Sequence, residues 1–302
     1  MKLNQAHPPV SIGMPVYNGE RFIGKALDSI LQQSYPYFQL LISDNCSTDR
    51  TAEICREYAA RDSRIKYVRQ STNLGATANF RYVLDASVHE RFIWAAADDW
   101  WDSDRLEHLV SALRPQDAVV SGAVRAYVDE TPVAEFVPRS FAKGNWWRFL
   151  LREESRCEKT YYVYGLIWKD NAIDVFSEDF GNYWGDSIFC YRLLWKGHLT
   201  SVQGAALHVA KHPGSSGTKE AAKFRYSIAR LICFAHPFAY YKRYAVATPG
   251  RHRYLVALAI PAKALMSQLH LWWRALYRIV LGRPFVHGAL PGGARVMQNA
   301  KL

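Results

Sequence analysis

The chain has 302 residues, of which 49% are hydrophobic, a composition that excludes an intrinsically disordered protein. Its formal net charge of +11 is unevenly spread, because residues 1–210 carry 23 basic and 26 acidic side chains, whereas residues 211–302 carry 15 basic side chains and one acid, Glu220. The five cysteines include no C-x-x-C pair, which argues against a zinc ribbon or disulfide framework and favours a reducing compartment.

Strand-like and helix-like patterns alternate along the first hundred residues. Short continuous apolar runs are typical of buried strands, and apolar side chains spaced three and four apart are typical of helices. The predicted order is a strand at 10–18, a helix at 21–33, a strand at 38–46, a helix at 47–61, a strand at 65–70, a helix at 76–87, a strand at 91–97 and a helix at 103–113. This alternation indicates βαβ units, and so an α/β fold with a mainly parallel sheet flanked by helices.

Three of the predicted strands end in residues that suit a binding site. These residues are Pro15, Tyr17 and Asn18 after the first strand, Asp44 after the second, and the adjacent pair Asp98 and Asp99 after the fourth. Because ligands bind beyond the carboxyl ends of parallel strands, we expect all of them to share one site. Adjacent carboxylates repel each other, so Asp98 and Asp99 require a nearby positive charge or access to water. They suit Mg²⁺ or Mn²⁺, although they could also simply solvate the strand end and cap the next helix.

The pattern changes after residue 117. Residues 118–129 predict another strand, and residues 187–196 predict an apolar helix. Residues 207–217 predict a short strand that enters a polar, glycine-rich loop. Asp186 stands just before the helix, where aspartate is a favoured N-cap, so a structural role is the alternative to any catalytic one.

Four segments between residues 10 and 101 resemble the nucleotide-sugar domain of family 2 glycosyltransferases in their order and spacing. They are VSIGMPVYNGERFIGKALDSILQQSY, LLISDNCSTDRT, NLGATANF and FIWAAADDWW. The resemblance implies the GT-A fold, with a Rossmann-like mixed sheet, and an inverting transfer of a sugar. We accordingly expect a nucleotide-sugar part at 1–115, an acceptor and catalytic part at 116–217, and a basic helical extension at 218–302.

The resemblance implies a role for each matching residue of the donor site. Pro15, Tyr17 and Asn18 would line the nucleotide pocket, Asp44 would contact the base, Asp98 would contact the diphosphate, and Asp98 with Asp99 would hold the metal ion. The chain departs from the family pattern at two positions. Ala96 replaces the first acid of the frequent D-x-D-D motif, and Asn45 replaces a second acid after Asp44. One ribose or metal contact of the family therefore has no counterpart at position 96.

On the acceptor side, inversion requires a base that takes the proton of the acceptor hydroxyl as the diphosphate leaves. The resemblance assigns this role to Asp186, with Gly185 standing where the family often has a glutamate. In the loop that follows the last strand, it makes His212 a metal ligand and lets Lys211 and Ser215 contact phosphate oxygens. Candidate sugar-stacking aromatics, each with core packing as the alternative, are Trp100, Trp101, Tyr164, Trp168 and Trp184.

Residues 262–281 have a helical pattern with two different faces. One face carries Lys263, Ser267, His270, Arg274 and Arg278, and the other carries Leu265, Leu269, Trp272, Leu276 and Val280. We expect Pro261 to interrupt the run before this helix, and the cations argue against a transmembrane segment. Such a helix is typical of an anionic membrane surface, with packing on the enzyme's own surface as the alternative.

The predicted function is a Mg²⁺- or Mn²⁺-dependent inverting glycosyltransferase of polysaccharide or lipid-linked glycan assembly. A UDP-sugar is the default donor, the acceptor is a glycan or lipid-linked glycan, and no motif indicates nucleic acid. MKLNQAHPPV has no apolar segment of a signal peptide, so we expect a cytoplasmic protein, peripheral on the inner face of the cytoplasmic membrane. One alternative is a sugar-phosphate nucleotidyltransferase, although PVYNGERF is not the glycine-rich loop of that class. The other is a GT-A-like binding protein with impaired catalysis.

Overall fold

The structure, a computed structural model, describes residues 7–128, 130–151, 161–180, 185–211 and 235–281. The strands in these ranges are β1 Val10–Val16, β2 Phe38–Asp44, β3 Ile65–Arg69, β4 Arg91–Trp94, β5 Trp100–Trp101, β6 Asp117–Ser121, β7 Val124–Val128, β8 Thr131–Phe136, β9 Leu166–Trp168, β10 His198–Ser201 and β11 Leu207–Lys211. The helices are α1 Ile23–Leu31, α2 Thr51–Arg61, α3 Ala76–Asp85, α4 Arg105–Ala112, α5 Trp146–Leu151, α6 Lys169–Val175, α7 Gly185–Lys196, α8 Ala235–Ala247 and α9 His252–Leu281. The expected α/β fold is therefore confirmed.

A seven-stranded sheet with the order β10-β6-β9-β4-β1-β2-β3 forms the centre of the molecule. β1 pairs in parallel with β2 and β4, β2 with β3, and β6 with β10. β9 is antiparallel to both β4 and β6. Since only β9 is reversed among these seven strands, the carboxyl ends of β1, β2, β4 and β6 lie at one edge of the sheet.

The central sheet separates two hydrophobic cores. Because neighbouring side chains on a strand point to opposite faces, Phe92 and Trp94 of β4 pack into one core and Ile93 packs into the other. The first core is covered by α3, α6 and α7, and the second by α1, α2 and α4. Burial on both faces explains why β1, β2 and β4 read as continuous apolar runs in the sequence.

A second sheet, with the order β5-β11-β7-β8, begins directly after Asp99. Its inner face contributes Trp101, Leu207 and Val124, all of them buried. In the strand register, Trp100 lies opposite His208, and His208 lies opposite Arg125, so these residues share the outer face. A row of polar and aromatic side chains therefore lies on the outer face of the second sheet, which begins next to the carboxyl edge of the central sheet.

The prediction of a single strand at 118–129 is wrong. This stretch divides at Gly122 into β6, which belongs to the central sheet, and β7, which belongs to the second sheet. A Cβ atom at Gly122 would lie 2.2 Å from the carbonyl oxygen of Ala205. Only glycine allows this close backbone approach, and the chain crosses between sheets there.

The prediction that Pro261 interrupts the chain before a helix at 262–281 is also wrong. α9 begins at His252 and contains Pro261 in its interior. Proline there removes one backbone hydrogen bond, and the burial of Val256, Ile260 and Ala264 beside α8 offsets that loss. Within the described residues, no helix combines the length and apolarity needed to cross a bilayer.

The two faces of α9 are also not arranged as the sequence predicted. Lys263 is buried, and its ammonium lies 5.9 Å from the ring centre of Tyr241 on α8. Leu265 and Leu269, by contrast, are about half exposed. The side chains at 267, 268 and 270–281 lie outside the described residues, so the rest of the predicted pattern remains a prediction.

Candidate active site

The loops that follow β1 and β2 are joined by hydrogen bonds. The backbone N–H of Asn18 donates to Oγ of Ser47 at 2.9 Å, and Oδ1 of Asn18 accepts from the N–H of Thr48 at 2.9 Å. The N–H of Gly19 donates to Oγ1 of Thr51 at 2.8 Å. Asn18 has a φ of 52°, a left-handed conformation that asparagine tolerates better than most residues. The two loops therefore form one rim at the carboxyl edge of the sheet.

Side chains of the predicted nucleotide pocket lie along this rim. Pro15, in β1, is paired with Ser43 of β2 and is half-buried. Tyr17 is 49% exposed, and Asn18 is exposed as well. An exposed tyrosine ring beside a turn of this kind is available to a flat ligand such as a nucleobase.

Asp44, at the end of β2, is fully buried, and its carboxylate shapes the rim. Oδ1 accepts a hydrogen bond from the N–H of Ser47, and Oδ2 accepts one from the hydroxyl of Tyr67, both at 2.8 Å. Nε of Arg69 lies 3.5 Å from Oδ2. Burial and the Asp44 charge raise the pKa of Tyr67, so this phenol remains a donor. These groups already surround the carboxylate. The predicted contact between Asp44 and a base remains a prediction.

Asp98 and Asp99 lie between β4 and β5, at the same edge of the central sheet. Asp99 is buried, and its Oδ1 accepts a hydrogen bond from the N–H of Ala210 in β11 at 3.2 Å. Burial, followed by the charge of Asp98, raises the pKa of Asp99 well above its usual range. The N–H of Ala210 and the guanidinium of Arg105 act in the opposite direction.

Arg105, the first residue of α4, supplies a buried positive charge beside the two acids. It is fully buried, and it donates hydrogen bonds to the backbone carbonyls of Ala205 and of Tyr164, the latter at 2.8 Å. Burial lowers the pKa of Arg105 to about 9, while Asp102 and Asp99 oppose that shift. The side chain therefore stays cationic at neutral pH. The sequence predicted either a positive charge or access to water near the acids. It did not identify Arg105, which was only part of a predicted helix.

Tyr164 is a phenol whose pKa responds to several of the predicted site carboxylates. Burial raises the pKa of its phenol most, followed by the charges of Asp99, Asp98 and Asp186. The charges of the predicted base and of the predicted metal ligands therefore act on the same side chain, although almost ninety positions separate these residues in the sequence.

α7 begins at Gly185, so Asp186 is the second residue of the helix and not the N-cap that the sequence offered as an alternative. Its Oδ1 accepts a hydrogen bond from the N–H of Ser187, the next residue, at 2.7 Å. Gly185, just before Asp186, has no room for the glutamate that the family often carries. A Cβ atom there would lie 1.9 Å from the carbonyl oxygen of Asp179. The close approach of the Asp179 backbone explains the glycine.

The loop after β11 lies largely outside the described residues. β11 ends at Lys211, whose side chain is not described, and both His212 and Ser215 fall outside the described residues. In the part of the chain that the structure describes, no three His, Cys, Asp or Glu side chains are placed to hold a metal ion. Asp98 and Asp99 still fit such an ion, because Mg²⁺ takes one or two protein carboxylates and completes its shell with phosphate and water.

The candidate sugar-binding aromatics have different environments. Trp101 is buried in the core, and Trp168 is half-buried, with the guanidinium of Arg91 4.9 Å from its ring centre. Tyr164 is half-buried, Trp100 is half-exposed, and Trp184 lies outside the described residues. Core packing thus accounts for Trp101, whereas Trp100 contacts the ring of His208 and the ammonium of Lys25.

Comparison with known proteins gives a consistent result. The family model described as "Glycosyl transferase family 2" matches residues 11–170. A putative teichuronic acid biosynthesis glycosyltransferase of Bacillus subtilis, TuaG, is 31% identical over 132 residues, which are 43% of this chain and 52% of that protein. The putative glycosyltransferase EpsE of the same organism is 36% identical over 107 residues, which are 35% of this chain and 38% of EpsE. The matched region spans about half the length of these curated relatives or less.

Solved structures share the fold at low sequence identity. The crystal structure of S. aureus TarS 1-349 in complex with UDP has a TM-score of 0.58 at 14% identity and covers 97% of each chain. The mannosyltransferase PcManGT from Pyrobaculum calidifontis, in complex with GDP-Man and Mn²⁺, has a TM-score of 0.56 at 17% identity. That match covers 87% of this chain and 71% of PcManGT.

Proposed function

The chain belongs to glycosyl transferase family 2, and we propose that it transfers a sugar from a nucleotide-diphosphate donor to an acceptor hydroxyl with inversion at the anomeric carbon. The observation that carries this proposal is the position of Asp98 and Asp99 after β4, at the carboxyl edge of the parallel strands. Carboxylates at this edge suit a donor's diphosphate and its metal ion, and Asp186, in the first turn of α7, is the carboxylate proposed to take the acceptor's proton.

The donor's nucleotide binds on the rim formed by the loops after β1 and β2. Pro15, Tyr17 and Asn18 line this pocket, and Asp44 contacts the base or holds the rim that does so. UDP is the default nucleotide, and a TarS structure described as a complex with UDP-GlcNAc supports a donor of this type. The diphosphate then extends toward Asp98, with Lys211 and Ser215 contacting phosphate oxygens.

A divalent cation, Mg²⁺ or Mn²⁺, is held by Asp98 and Asp99, with His212 as a further ligand. The Mn²⁺ in the PcManGT complex supports this assignment. When bound, the cation offsets the charge of the leaving diphosphate. Asp99 suits the role because its burial and its acidic neighbour make an uncompensated charge costly there.

Asp186 acts as the general base. Its carboxylate removes the proton of the acceptor hydroxyl while that oxygen forms a bond to the anomeric carbon. The bond from the same carbon to the diphosphate oxygen breaks, and the electron pair leaves with the nucleoside diphosphate. Attack from the face opposite the leaving group inverts the configuration. Because burial and three nearby carboxylates keep Tyr164 protonated, its phenol can donate to an oxygen of the reacting sugars.

The acceptor is a glycan or lipid-linked glycan of polysaccharide assembly, a class supported by the name of TuaG. The enzyme is cytoplasmic and works on the inner face of the membrane. α9 supports this location, because the large exposed apolar side chains among its described residues fall on one face. These are Tyr254, Leu255, Leu258, Leu265, Met266 and Leu269, which we call the apolar stripe.

Positive charge accompanies the apolar stripe. Lys242, Arg243, Arg251 and Arg253 are exposed on and between α8 and α9, and residues 221–302 contain no Asp or Glu. Each cation near an anionic bilayer contributes about 1 kcal/mol to binding. The partner of this surface is therefore a membrane with anionic lipids.

Product analysis tests the proposed reaction against its alternatives. The purified protein, Mn²⁺ and a panel of UDP- and GDP-sugars are incubated with bacterial membranes as the acceptor source. A glycosyltransferase releases nucleoside diphosphate only as sugar enters the membrane fraction. Release of pyrophosphate from a nucleoside triphosphate and a sugar phosphate would instead identify a nucleotidyltransferase. Donor binding without transfer to any membrane fraction would identify a binding protein.

A further inference from the structure

We propose that a groove beside Asp99 binds the acceptor glycan, an inference that rests on the function proposed above. The groove has a volume of about 400 Å³ and lies between α1 and the chain that follows Asp99. This volume falls in the range of small-molecule binding sites. Its walls include Lys25, Asp28 and Gln32 on one side and Trp100, Asp102 and His208 on the other.

The groove begins at the residue that follows Asp99. Trp100 follows Asp99 directly, so their Cα atoms are about 3.8 Å apart. Lys25, Asp28 and Gln32 lie at intervals of three and four residues, so one face of α1 lines the groove over about 10 Å. Under the proposal, the reacting end of the glycan lies at the carboxylates, and the rest of the chain passes Trp100 and continues along α1.

Trp100 provides an aromatic surface at the inner end of the groove. The His208 ring lies nearly parallel to the indole, at 13° and 5.2 Å between ring centres. The ammonium of Lys25 lies 3.3 Å from the centre of the indole. Lys25 is exposed on a flexible four-carbon stem, so an incoming ligand can displace it or pair with it. The C–H face of a sugar ring matches an indole of this kind.

The groove wall beyond Trp100 is held by a network of polar side chains. Nε2 of His208 lies 2.7 Å from Oδ1 of Asp102, and Nδ1 of His208 lies 2.9 Å from the hydroxyl of Tyr127. Arg125 lies 3.4 Å from Asp102 and 3.1 Å from Glu135. Because these contacts fix the wall before a ligand arrives, little ordering entropy is lost on binding.

The chemistry of the groove favours a glycan over other ligands. Asp28, Asp102 and Gln32 can accept hydrogen bonds from sugar hydroxyls, which donate and accept in many directions. Asp28 and Asp102 carry negative charge and therefore disfavour a ligand with a phosphate group. The rim proposed for the nucleotide lies elsewhere on the sheet edge. Aromatic area combined with carboxylate and amide groups matches a ring that has one apolar face and a polar perimeter.

Fluorine NMR tests the groove directly. The full chain is labelled with 5-fluorotryptophan, and the Trp100 signal is assigned with Trp100→Phe. Maltotriose, chitotriose and trigalacturonic acid are the probes. We expect at least one of them to move the Trp100 signal, and we expect Trp100→Ala to weaken the affinity for that probe, measured by calorimetry, about tenfold. Trp147→Ala is the control, since Trp147 is 49% exposed on α5, and it should leave the affinity unchanged.

Calorimetry with UDP and Mn²⁺ on the same samples separates the two proposals. If UDP binds but none of the three probes moves the Trp100 signal at its solubility limit, the groove proposal is overturned while the proposed function stands. Equal weakening in Trp100→Ala and Trp147→Ala also overturns it. A probe that binds at Trp100 in a protein without affinity for UDP or GDP supports the groove and contradicts the proposed donor site.

Discussion

Nε2 of His208 lies 2.7 Å from Oδ1 of Asp102, which makes His208 the donor in this pair, because an ionised carboxylate can only accept. Nδ1 then accepts from the hydroxyl of Tyr127, 2.9 Å away, and the ring is neutral. Burial and the neighbouring charges have opposing effects on the pKa of His208. Burial lowers the pKa of His208, whereas Asp102 raises it and Arg125 and Arg105 lower it further. Burial is the largest effect, so the net shift is downward despite the close carboxylate.

The free energy of unfolding should therefore fall as the pH falls below about 6.5, the ordinary pKa of histidine. In that range the unfolded chain binds a proton that the folded chain takes up only at lower pH. Urea unfolding between pH 5 and 7.5 measures this slope. His208→Gln, which keeps a donor toward Asp102, should show a shallower slope than the wild type. Equal slopes for the two proteins would exclude His208 as the group responsible.

Asp186→Asn should abolish transfer while leaving nucleotide affinity within about twofold, since asparagine is isosteric but cannot take a proton. The measurement pairs radiolabelled sugar incorporation with calorimetric titration of UDP and Mn²⁺. Asp179→Asn is the control, because this acid lies just upstream of the same helix without a proposed role. Turnover like that of the wild type in Asp186→Asn would remove Asp186 as the base.

Asp99→Asn should weaken nucleotide binding only when the metal ion is present. Without metal, the free energy of unfolding should stay equal or rise, because the change removes a buried charge beside Asp98. Asp104→Asn, at an exposed acid on the same segment, should change neither quantity. A large loss of stability in Asp99→Asn would show that its carboxylate serves the fold rather than the ion.

Arg105→Met should lower the free energy of unfolding by about 3 kcal/mol, since it leaves Asp99 without its buried cation and two carbonyls without a donor. Arg114→Met, at an exposed arginine after the same helix, should cost less than about 0.5 kcal/mol. Chemical denaturation measures both. A loss in Arg105→Met no larger than the control's would mean that the acids are stabilised by water instead.

Replacement of Leu258 and Leu265 by aspartate should reduce co-sedimentation with phosphatidylglycerol-containing vesicles at least tenfold. Binding by the wild type should weaken with added salt, because part of it depends on the exposed cations. Val88→Asp is the matched control, since Val88 is 66% exposed on a different element. If the double variant sediments like the wild type, the apolar stripe contacts something other than lipid. A change in oligomeric state measured by light scattering would then identify a second copy of the chain.

Local sequence predicted most of the first hundred residues well. β1, β2 and β4 are buried on both faces and the helices are amphipathic, so the apolar pattern of each of these elements is determined by its own packing. The positions of Pro15, Asp44 and Asp98 at one sheet edge followed from the parallel topology alone.

Long-range contacts explain what the sequence could not predict. Gly122 divides a continuous apolar run because the backbone of Ala205, more than eighty residues later, occupies the space beside it. In the sequence, Arg105 has the pattern of an ordinary helix residue. Only the fold brings the backbone carbonyls of Ala205 and Tyr164 to its guanidinium. Pro261 lies within a helix because packing outweighs the preference of proline to end one, a balance that a single segment does not reveal.

The hydrogen bonds between Asn18, Ser47 and Thr48 have a consequence for how the donor enters. A loop anchored to its neighbour cannot open alone, so the turns after β1 and β2 must loosen or close as one cooperative unit. A ligand bound at either turn thereby also restricts the opening of the other turn, without any movement of the sheet beneath. If the donor's nucleotide binds there as proposed, a substitution in one turn should alter the nucleotide contacts of the other.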